Sequence, residues 1–170
     1  MQNYLKNEIF PIGLILILAA SRLMPHPDNF TPIIAMAIMG NYFFRNIYLS
    51  FSIVLFSMLL SDIFIGFYNH MLFVYLPIIF IVFVFYKLNK KINIKNLFVF
   101  GFAGSFIFFA ISNFGVWLLT DFYEKNFHGL IECYIMAIPF FKHTLASTLI
   151  FSYGTMIVHS SVNKYIIIKN

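Results

Sequence analysis

Charged side chains are scarce in this sequence: they make up 10% of its 170 residues, against about 25% in a typical soluble domain. Hydrophobic residues account for 61%, and the mean hydropathy is +0.88. This composition is typical of an integral membrane protein, so the lipid bilayer is the first predicted partner. The net charge of +5 reflects how basic residues are distributed over loops, and no nucleic-acid partner is expected.

Cysteine is almost absent, which limits the chemistry that the chain can carry. Cys133 is the one cysteine, so no internal disulfide can form. The five histidines show no HExxH motif or other close ligand spacing, and we expect no metal and no cofactor. Cys133 follows Glu132, but a buried, unreactive thiol is a better interpretation than a nucleophile. No catalytic residue is assigned, and the protein is not expected to be an enzyme.

The alternating ten-residue strands of membrane barrels are also missing. Long apolar runs predict instead an all-α integral membrane protein, a single domain over residues 1–170 with about six transmembrane helices. The predicted spans are Ile9–Ser21, Ile33–Phe44, Ile47–Phe67, Met71–Tyr86, Leu97–Leu119 and a last one from near Lys142 to about Val162. Ile33–Phe44 is short for a span. Gly129–Phe141, before the last span, is also short and is predicted to be an interfacial or re-entrant helix.

Basic residues indicate how these spans are oriented. With six spans, eight of the eleven Lys and Arg residues fall on the side of the termini, four of them between Lys87 and Lys95. The positive-inside rule therefore predicts a multi-pass protein of the inner (cytoplasmic) membrane with both termini in the cytoplasm. Five of the six acids and four of the five histidines fall toward the outer side. Ala19-Ala20-Ser21 resembles a signal-peptide cleavage site, but the N-terminus before it is poorly charged and no cleavage is expected.

A polar segment, residues 22–32, separates the first two apolar runs. Pro25, Pro27 and Pro32 prevent a continuous helix, because proline lacks a backbone N–H and biases the residue before it toward an extended conformation. The polar side chains of this segment are Arg22, His26, Asp28, Asn29 and Thr31. We expect them either to form a hydrated cap or to bind a ligand on the outer side of the membrane.

Asp62 and Asn113 are predicted to lie at one depth near that segment. Counting about 1.5 Å per helical residue from the inner surface places Asp62 at roughly 24 Å and Asn113 at about 27 Å in a core about 30 Å thick. A carboxylate at that depth needs a partner, so Asp62 either pairs, for example with Arg22, or contacts a ligand. Asn113 and Trp117 share a helix face at i, i+4, although Trp117 also fits an interfacial position. We expect Asp62 and Asn113 to line one cavity under the polar segment.

Six stretches together resemble the signature of an uncharacterised family of small bacterial membrane proteins. They are Arg22-Leu-Met-Pro-His-Pro, Asn29-Phe-Thr-Pro32, Ser61-Asp62-Ile-Phe-Ile-Gly66, Asn113-Phe-Gly-Val-Trp117, Cys133-Tyr134 and Pro139-Phe-Phe-Lys-His-Thr144. That family is similar in turn to the substrate-binding (S) subunits of energy-coupling-factor (ECF) vitamin transporters. The resemblance implies six helices and a ligand site that opens outward. It also implies an energising transporter module as partner, although residues 13–20 lack the Ala-xxx-Ala pair with which S subunits often dock.

The leading functional hypothesis is therefore a membrane protein that binds a small, vitamin-like solute in an outward-facing pocket. The predicted ligand-binding residues are Arg22, His26, Asn29, Thr31, Asp62, Asn113, Trp117 and His143. Two alternatives stay open. One is a structural or assembly subunit of a membrane complex, and the other is a membrane enzyme that uses the outer His, Asp and Glu residues.

Overall fold

A computed structural model describes residues 9, 12–13, 15–44, 46–88 and 93–169, with the side chains of residues 41 and 162–169 outside that description. The described residues form helices and no strands. We name the helical residues 15–20 α1, which a 3-10 turn, Ser21–Leu23, follows. The remaining helices are α2 (Ile33–Phe44), α3 (Ile47–Ile65), α4 (Met71–Leu88), α5 (Ile94–Leu119) and α6 (Phe127–Lys169). Parts of two sequence predictions, residues 10, 11 and 14 of the first span and residues 89–92 of the basic segment, lie outside the described residues.

Asparagines fix the starts of α3 and α5. The Asn46 Oδ1 atom accepts the N–H groups of Tyr48 and Leu49 at 3.0 and 3.2 Å, and Asn93 Oδ1 accepts that of Asn96 at 2.8 Å. These bonds satisfy N–H groups that have no partner within the first turn of a helix. Because Asn93 caps it, α5 begins at Ile94, earlier than the apolar run alone predicts.

Four helices are long and apolar enough to cross a membrane. They are α3, α4, α5 and the Phe127–Ser161 part of α6, as found among the described residues by length and composition. The predictions of helices starting at Ile47 and Met71 are confirmed. α2 is a shorter apolar helix of 12 residues. The protein is thus an all-helical chain compatible with a multi-pass membrane protein in a lipid bilayer.

α6 corrects the prediction of a separate interfacial or re-entrant helix at Gly129–Phe141. That piece is the first part of one continuous helix of 43 residues, with Pro139 inside it. It packs along α5, since the Tyr134 hydroxyl donates to the Ala110 carbonyl at 2.5 Å. The prediction failed because Lys142 and His143 look like the polar boundary of a span. In the fold, His143 Nδ1 lies 3.0 Å from the Asp28 carbonyl oxygen, so this polar position lies within the helix and contacts the polar segment.

α2 occupies the centre of the bundle. It contacts α3, α4, α5 and α6, and every residue from Ile33 to Met39 is buried. α5 comes close to it at Gly104, where an added Cβ would lie 2.9 Å from Ile34 Cγ2. Gly101 gives α6 a similar approach, since an added Cβ there would lie 2.8 Å from Leu149 Cδ2. Small residues let neighbouring membrane helices pack closely. The polar segment leads directly into this central helix, so its last residues lie among the surrounding helices.

Candidate functional site

The polar segment is fastened to α3 by a buried ion pair. Arg22 Nη2 donates to Asp62 Oδ1 at 2.9 Å, with Arg22 8% exposed and Asp62 fully buried. Arg22 Nη1 donates to Ser61 Oγ and to the Met58 carbonyl. Of the two roles that the sequence allows for Asp62, the structure shows the pairing with Arg22. The guanidinium group of Arg22, which follows α1, is therefore neutralised by the Asp62 carboxylate of α3.

Asp62 uses its second oxygen as well. The Tyr75 hydroxyl, on α4, donates to Asp62 Oδ2 at 2.6 Å, so each carboxylate oxygen has a donor. A buried charge is tolerated when it is paired and hydrogen-bonded in this way. One side chain thus links the end of α1, α3 and α4, and Arg22 is held in a fixed position.

Histidines hold the remainder of the polar segment. The two ring nitrogens of His26 lie 2.9 Å from the Pro27 carbonyl oxygen and 3.3 Å from that of Arg22. His143 of α6 reaches the Asp28 carbonyl, as described above. Asn29, at the tip, adopts a left-handed backbone with φ 58°, which asparagine accepts more readily than most residues. The segment is consequently a shaped turn attached to α6.

A large cavity lies between the polar segment and the α5–α6 hairpin. Its volume is about 490 Å³. The polar segment contributes Arg22, His26, Asp28, Asn29 and Thr31, and other walls include Asn113, Phe122, Tyr123, Cys133, Ala137 and Phe140. A space of this size, with mixed polar and aromatic walls, suits a small organic molecule.

A small cavity of about 230 Å³ adjoins the same segment from the side of α4. Arg22, Asn29 and Thr31 line both cavities, and the small one also has Tyr68 and His70 in its wall. These two residues belong to the connection between α3 and α4. Burial raises the pKa of Tyr68 to about 12. The negative charge of Asp62 adds to this increase, and the positive charge of Arg22 opposes it. Burial lowers the pKa of His70, so the neutral ring is favoured.

The structure brings five of the eight predicted ligand-binding residues to the large cavity. They are Arg22, His26, Asn29, Thr31 and Asn113. Asp62 lines neither cavity, so the expectation that it shares a wall with Asn113 is wrong; it pairs with Arg22, which lines both cavities. Trp117 lines neither cavity, and its indole N–H donates to the Glu124 carbonyl at 2.9 Å. His143 also lines neither cavity, and its ring contacts the polar segment at the Asp28 carbonyl.

Sequence reasoning missed Tyr75 and the aromatic side chains of the large cavity. Tyr75 lies about as far after the α3–α4 connection as Asp62 lies before it, so counting back along the hairpin would have placed the two side by side. Phe122 and Tyr123 carry no such signal. They reach the cavity because Lys125 donates to the Trp117 and Thr120 carbonyls and thereby folds the 120–126 connection back over the end of α5.

Among the described residues, no three His, Cys, Asp or Glu side chains are grouped closely enough to hold a metal ion. Cys133 is buried, and its thiol donates to the Asn113 carbonyl at 3.4 Å. Burial is consistent with an unreactive thiol.

Comparison with protein families identifies the family of the chain. It belongs to a family of unknown function, DUF6580, which matches residues 2–166. No curated protein and no solved structure matches the chain.

Proposed function

We propose that the protein is a membrane-embedded solute-binding subunit whose ligand occupies the large cavity beside residues 22–32. The observation that carries this proposal is that the polar segment, fixed by the buried Arg22–Asp62 pair, forms one wall of two adjoining cavities. A buried ion pair is a costly way to stabilise a fold, because both charges lose their hydration. Because Arg22 lines both cavities, the pair favours a role in keeping Arg22, and with it the polar segment, in place at the cavity wall.

Binding accounts for the side chains better than catalysis does. His143 contacts a backbone carbonyl, and the Cys133 thiol also donates to a carbonyl, so neither is paired with a reacting partner. A nucleophile needs a base within hydrogen-bonding reach. The resemblance of the sequence to ECF S subunits supports the same solute-binding function, with a vitamin-like molecule as the ligand.

In this proposal the protein lies in the inner membrane with six crossings, both termini in the cytoplasm and the polar segment outside. The support is the excess of Lys and Arg on the side of the termini, above all between Lys87 and Lys95. The predicted span Ile9–Ser21, which contains α1, and the short α2 would supply the two crossings beyond the four long helices. α2 can be shorter than the bilayer because other helices, not lipid, surround it.

An energising module or another membrane subunit is the proposed protein partner. The observation in its favour is an apolar groove of about 280 Å³ between α1 and α3, which includes the small residues Ala19, Ala20 and Ser57. Small residues let a neighbouring helix approach closely in a membrane. The same groove supports the alternative function, a structural or assembly subunit, and a stoichiometric protein that copurifies without any retained solute would favour that alternative.

The direct test is to identify small molecules retained by the protein after purification in a mild detergent. Mass spectrometry of the wild type is compared with Asn113→Ala, which removes an amide from the cavity wall, and with Ser112→Ala. Ser112 donates to its own helix, at the Phe108 carbonyl, and lines neither cavity, so this variant is the control. We expect a solute in the wild type and in Ser112→Ala, and much less in Asn113→Ala. An equal amount in all three preparations would place the solute elsewhere, and no solute in any would argue against the proposal.

A further inference from the structure

Two hydrogen-bond donors in the wall of the large cavity, Arg22 and Asn113, are engaged by the protein itself. Both terminal nitrogens of Arg22 donate to α3, and Asn113 Nδ2 donates to the Phe109 carbonyl at 2.8 Å. Arg22 Nε has no acceptor among the described residues, but it is buried and presents no surface to the cavity. The strongest cation near the cavity is therefore in no position to receive an anionic ligand.

Acceptors, by contrast, remain. Asp28 lines the cavity, and among the residues that the structure describes the only ion pair is Arg22–Asp62, which leaves the Asp28 carboxylate without a cationic partner. Its contact with His143 uses the backbone carbonyl and not the carboxylate. The Asn113 amide donates one of its two N–H groups to the Phe109 carbonyl, and its oxygen can accept a hydrogen bond from a solute. A ligand with a hydrogen-bond donor and a positive charge would complement these acceptors.

Aromatic rings complete the wall. Phe122 and Tyr123, from the 120–126 connection, and Phe140, from α6, all line the large cavity. The face of an aromatic ring attracts a cation that lies within about 6 Å of its centre. A carboxylate together with several aromatic faces is a combination that favours an organic cation over a neutral or anionic molecule.

The acidic residues near the cavity also favour a cationic ligand. Asp121, Glu124 and Glu132 occur within residues 120–132, where Lys125 is the single Lys or Arg. Lys125 donates to the carbonyls at the end of α5. Lys142 is exposed and lines neither cavity. An acidic rim raises the local concentration of cations and lowers that of anions.

We infer that the solute is an organic ammonium compound, with its protonated amine at Asp28 and Asn113 and its apolar body against Phe122, Tyr123 and Phe140. This inference rests on the proposed solute-binding function and narrows the ligand class. It distinguishes the site from one for a carboxylate or phosphate, for which Arg22 would have to be free.

The test uses three compounds of similar shape that differ in charge: 3-phenylpropan-1-ammonium, 3-phenylpropan-1-ol and 3-phenylpropanoate. Each is titrated calorimetrically into the full-length protein in nanodiscs. The ammonium compound should bind about tenfold more tightly than the alcohol, the difference expected for one charge interaction of about 1.4 kcal/mol. The carboxylate should bind the most weakly. A carboxylate that binds as tightly as the ammonium compound would overturn the inference.

Two matched variants locate the charge. Asp28→Asn and Asp121→Asn each remove one negative charge from an exposed position, but only Asp28 lines the cavity. Asp28→Asn keeps the backbone carbonyl that His143 contacts, so the fold should be retained. We expect Asp28→Asn to weaken the ammonium compound about tenfold and leave the alcohol unchanged. Asp121→Asn removes a charge from the rim and should have a clearly smaller effect. Equal effects of the two variants would contradict a direct contact at Asp28.

The outcomes also separate this inference from the proposal on which it rests. If the alcohol and the carboxylate bind as well as the ammonium compound, and Asn113→Ala weakens all three, solute binding in the cavity stands and the ammonium preference fails. If none of the three binds at millimolar concentration, both the solute-binding proposal and the ammonium inference are overturned.

Discussion

Arg22 and Asp62 are 40 positions apart in the sequence, yet their side chains form a 2.9 Å ion pair in the interior of the protein. The pair joins the first residues of the polar segment to α3. Removing one partner leaves the other as a buried, uncompensated charge, which is more damaging than removing both.

Asp62→Ala should therefore lower the free energy of unfolding by about 3–5 kcal/mol. The double variant Arg22→Met/Asp62→Leu should be less damaged than Arg22→Met or Asp62→Leu alone, because no buried charge is left without a partner. Thermal unfolding of the purified proteins measures both effects, with the exposed Asp121→Ala as control. If the double variant loses the sum of the two single effects, the pair is not coupled as the structure shows.

Tyr75→Phe removes the donor to the second oxygen of Asp62 and keeps the ring. Leaving that oxygen unsatisfied should destabilise the protein by about 1–3 kcal/mol. Tyr48→Phe is the control, because Tyr48 is 80% exposed. Thermal unfolding compares the two, and equal stability of Tyr75→Phe and Tyr48→Phe would show that the hydroxyl contributes nothing to holding Asp62.

Gly115→Ala tests the packing of α5 against α4. An added Cβ at this position would overlap the Cβ atom of Phe73. That atom is bonded to the backbone of α4, so a change of side-chain rotamer cannot move it. We expect strong destabilisation, by about 1–3 kcal/mol or more, since overpacking forces the backbone to shift. Gly154→Ala, with nothing within 4 Å of the added carbon, should be neutral or slightly stabilising. A benign Gly115→Ala variant would mean that α4 and α5 are further apart.

The proposed orientation predicts which loops a membrane-impermeant thiol reagent can reach in intact cells. In a Cys133→Ser background, Pro27→Cys in the exposed polar segment should be labelled, and Asn93→Cys before α5 should be protected until the cells are opened. The reagent cannot cross the bilayer, so it distinguishes the two sides directly. Labelling of Asn93→Cys with protection of Pro27→Cys would reverse the orientation.

Acidic pH should lower the stability of the folded protein through His70, which lies in the wall of the small cavity. Burial lowers the pKa of this ring below its ordinary 6.5, so the unfolded chain binds a proton more readily than the folded one. Stability is therefore retained above about pH 6.5 and falls as the pH drops further. The unfolding temperature of the wild type should decrease more between neutral pH and about pH 5 than that of His70→Gln. His128→Gln, at an exposed position, should follow the wild type.

The sequence predicts the long helices well because apolar runs bounded by polar residues are local patterns. α3 and α4 start where hydropathy places them, and the Asn93 cap explains the earlier start of α5. The polar boundary at Lys142 and His143 misled the same approach. His143 is accommodated by a carbonyl 115 positions away, and no local pattern contains that contact.

The site shows the same division between local and distant information. The need of Asp62 for a partner follows from the cost of a carboxylate in a membrane, so pairing with Arg22 was one of the two expected outcomes. Depth counting also placed Asn113 near the polar segment, and in the structure both line the large cavity. It could not show which way Asp62 faces around its helix. That direction depends on Tyr75 and on the packing of α4, and it turns the carboxylate away from the cavity.

The buried position of α2 has a consequence for how the protein is made. A helix of 12 residues, about 18 Å long, is shorter than the roughly 20 residues that lipid requires of a lone span. During synthesis α2 would therefore have to enter the membrane together with α1 or α3 as a hairpin. The helices α4, α5 and α6, which cover it in the finished bundle, leave the ribosome later. The large cavity has walls from residues 22–31 and from residues 113–140, so in a nascent protein the proposed binding site is incomplete until α6 has docked.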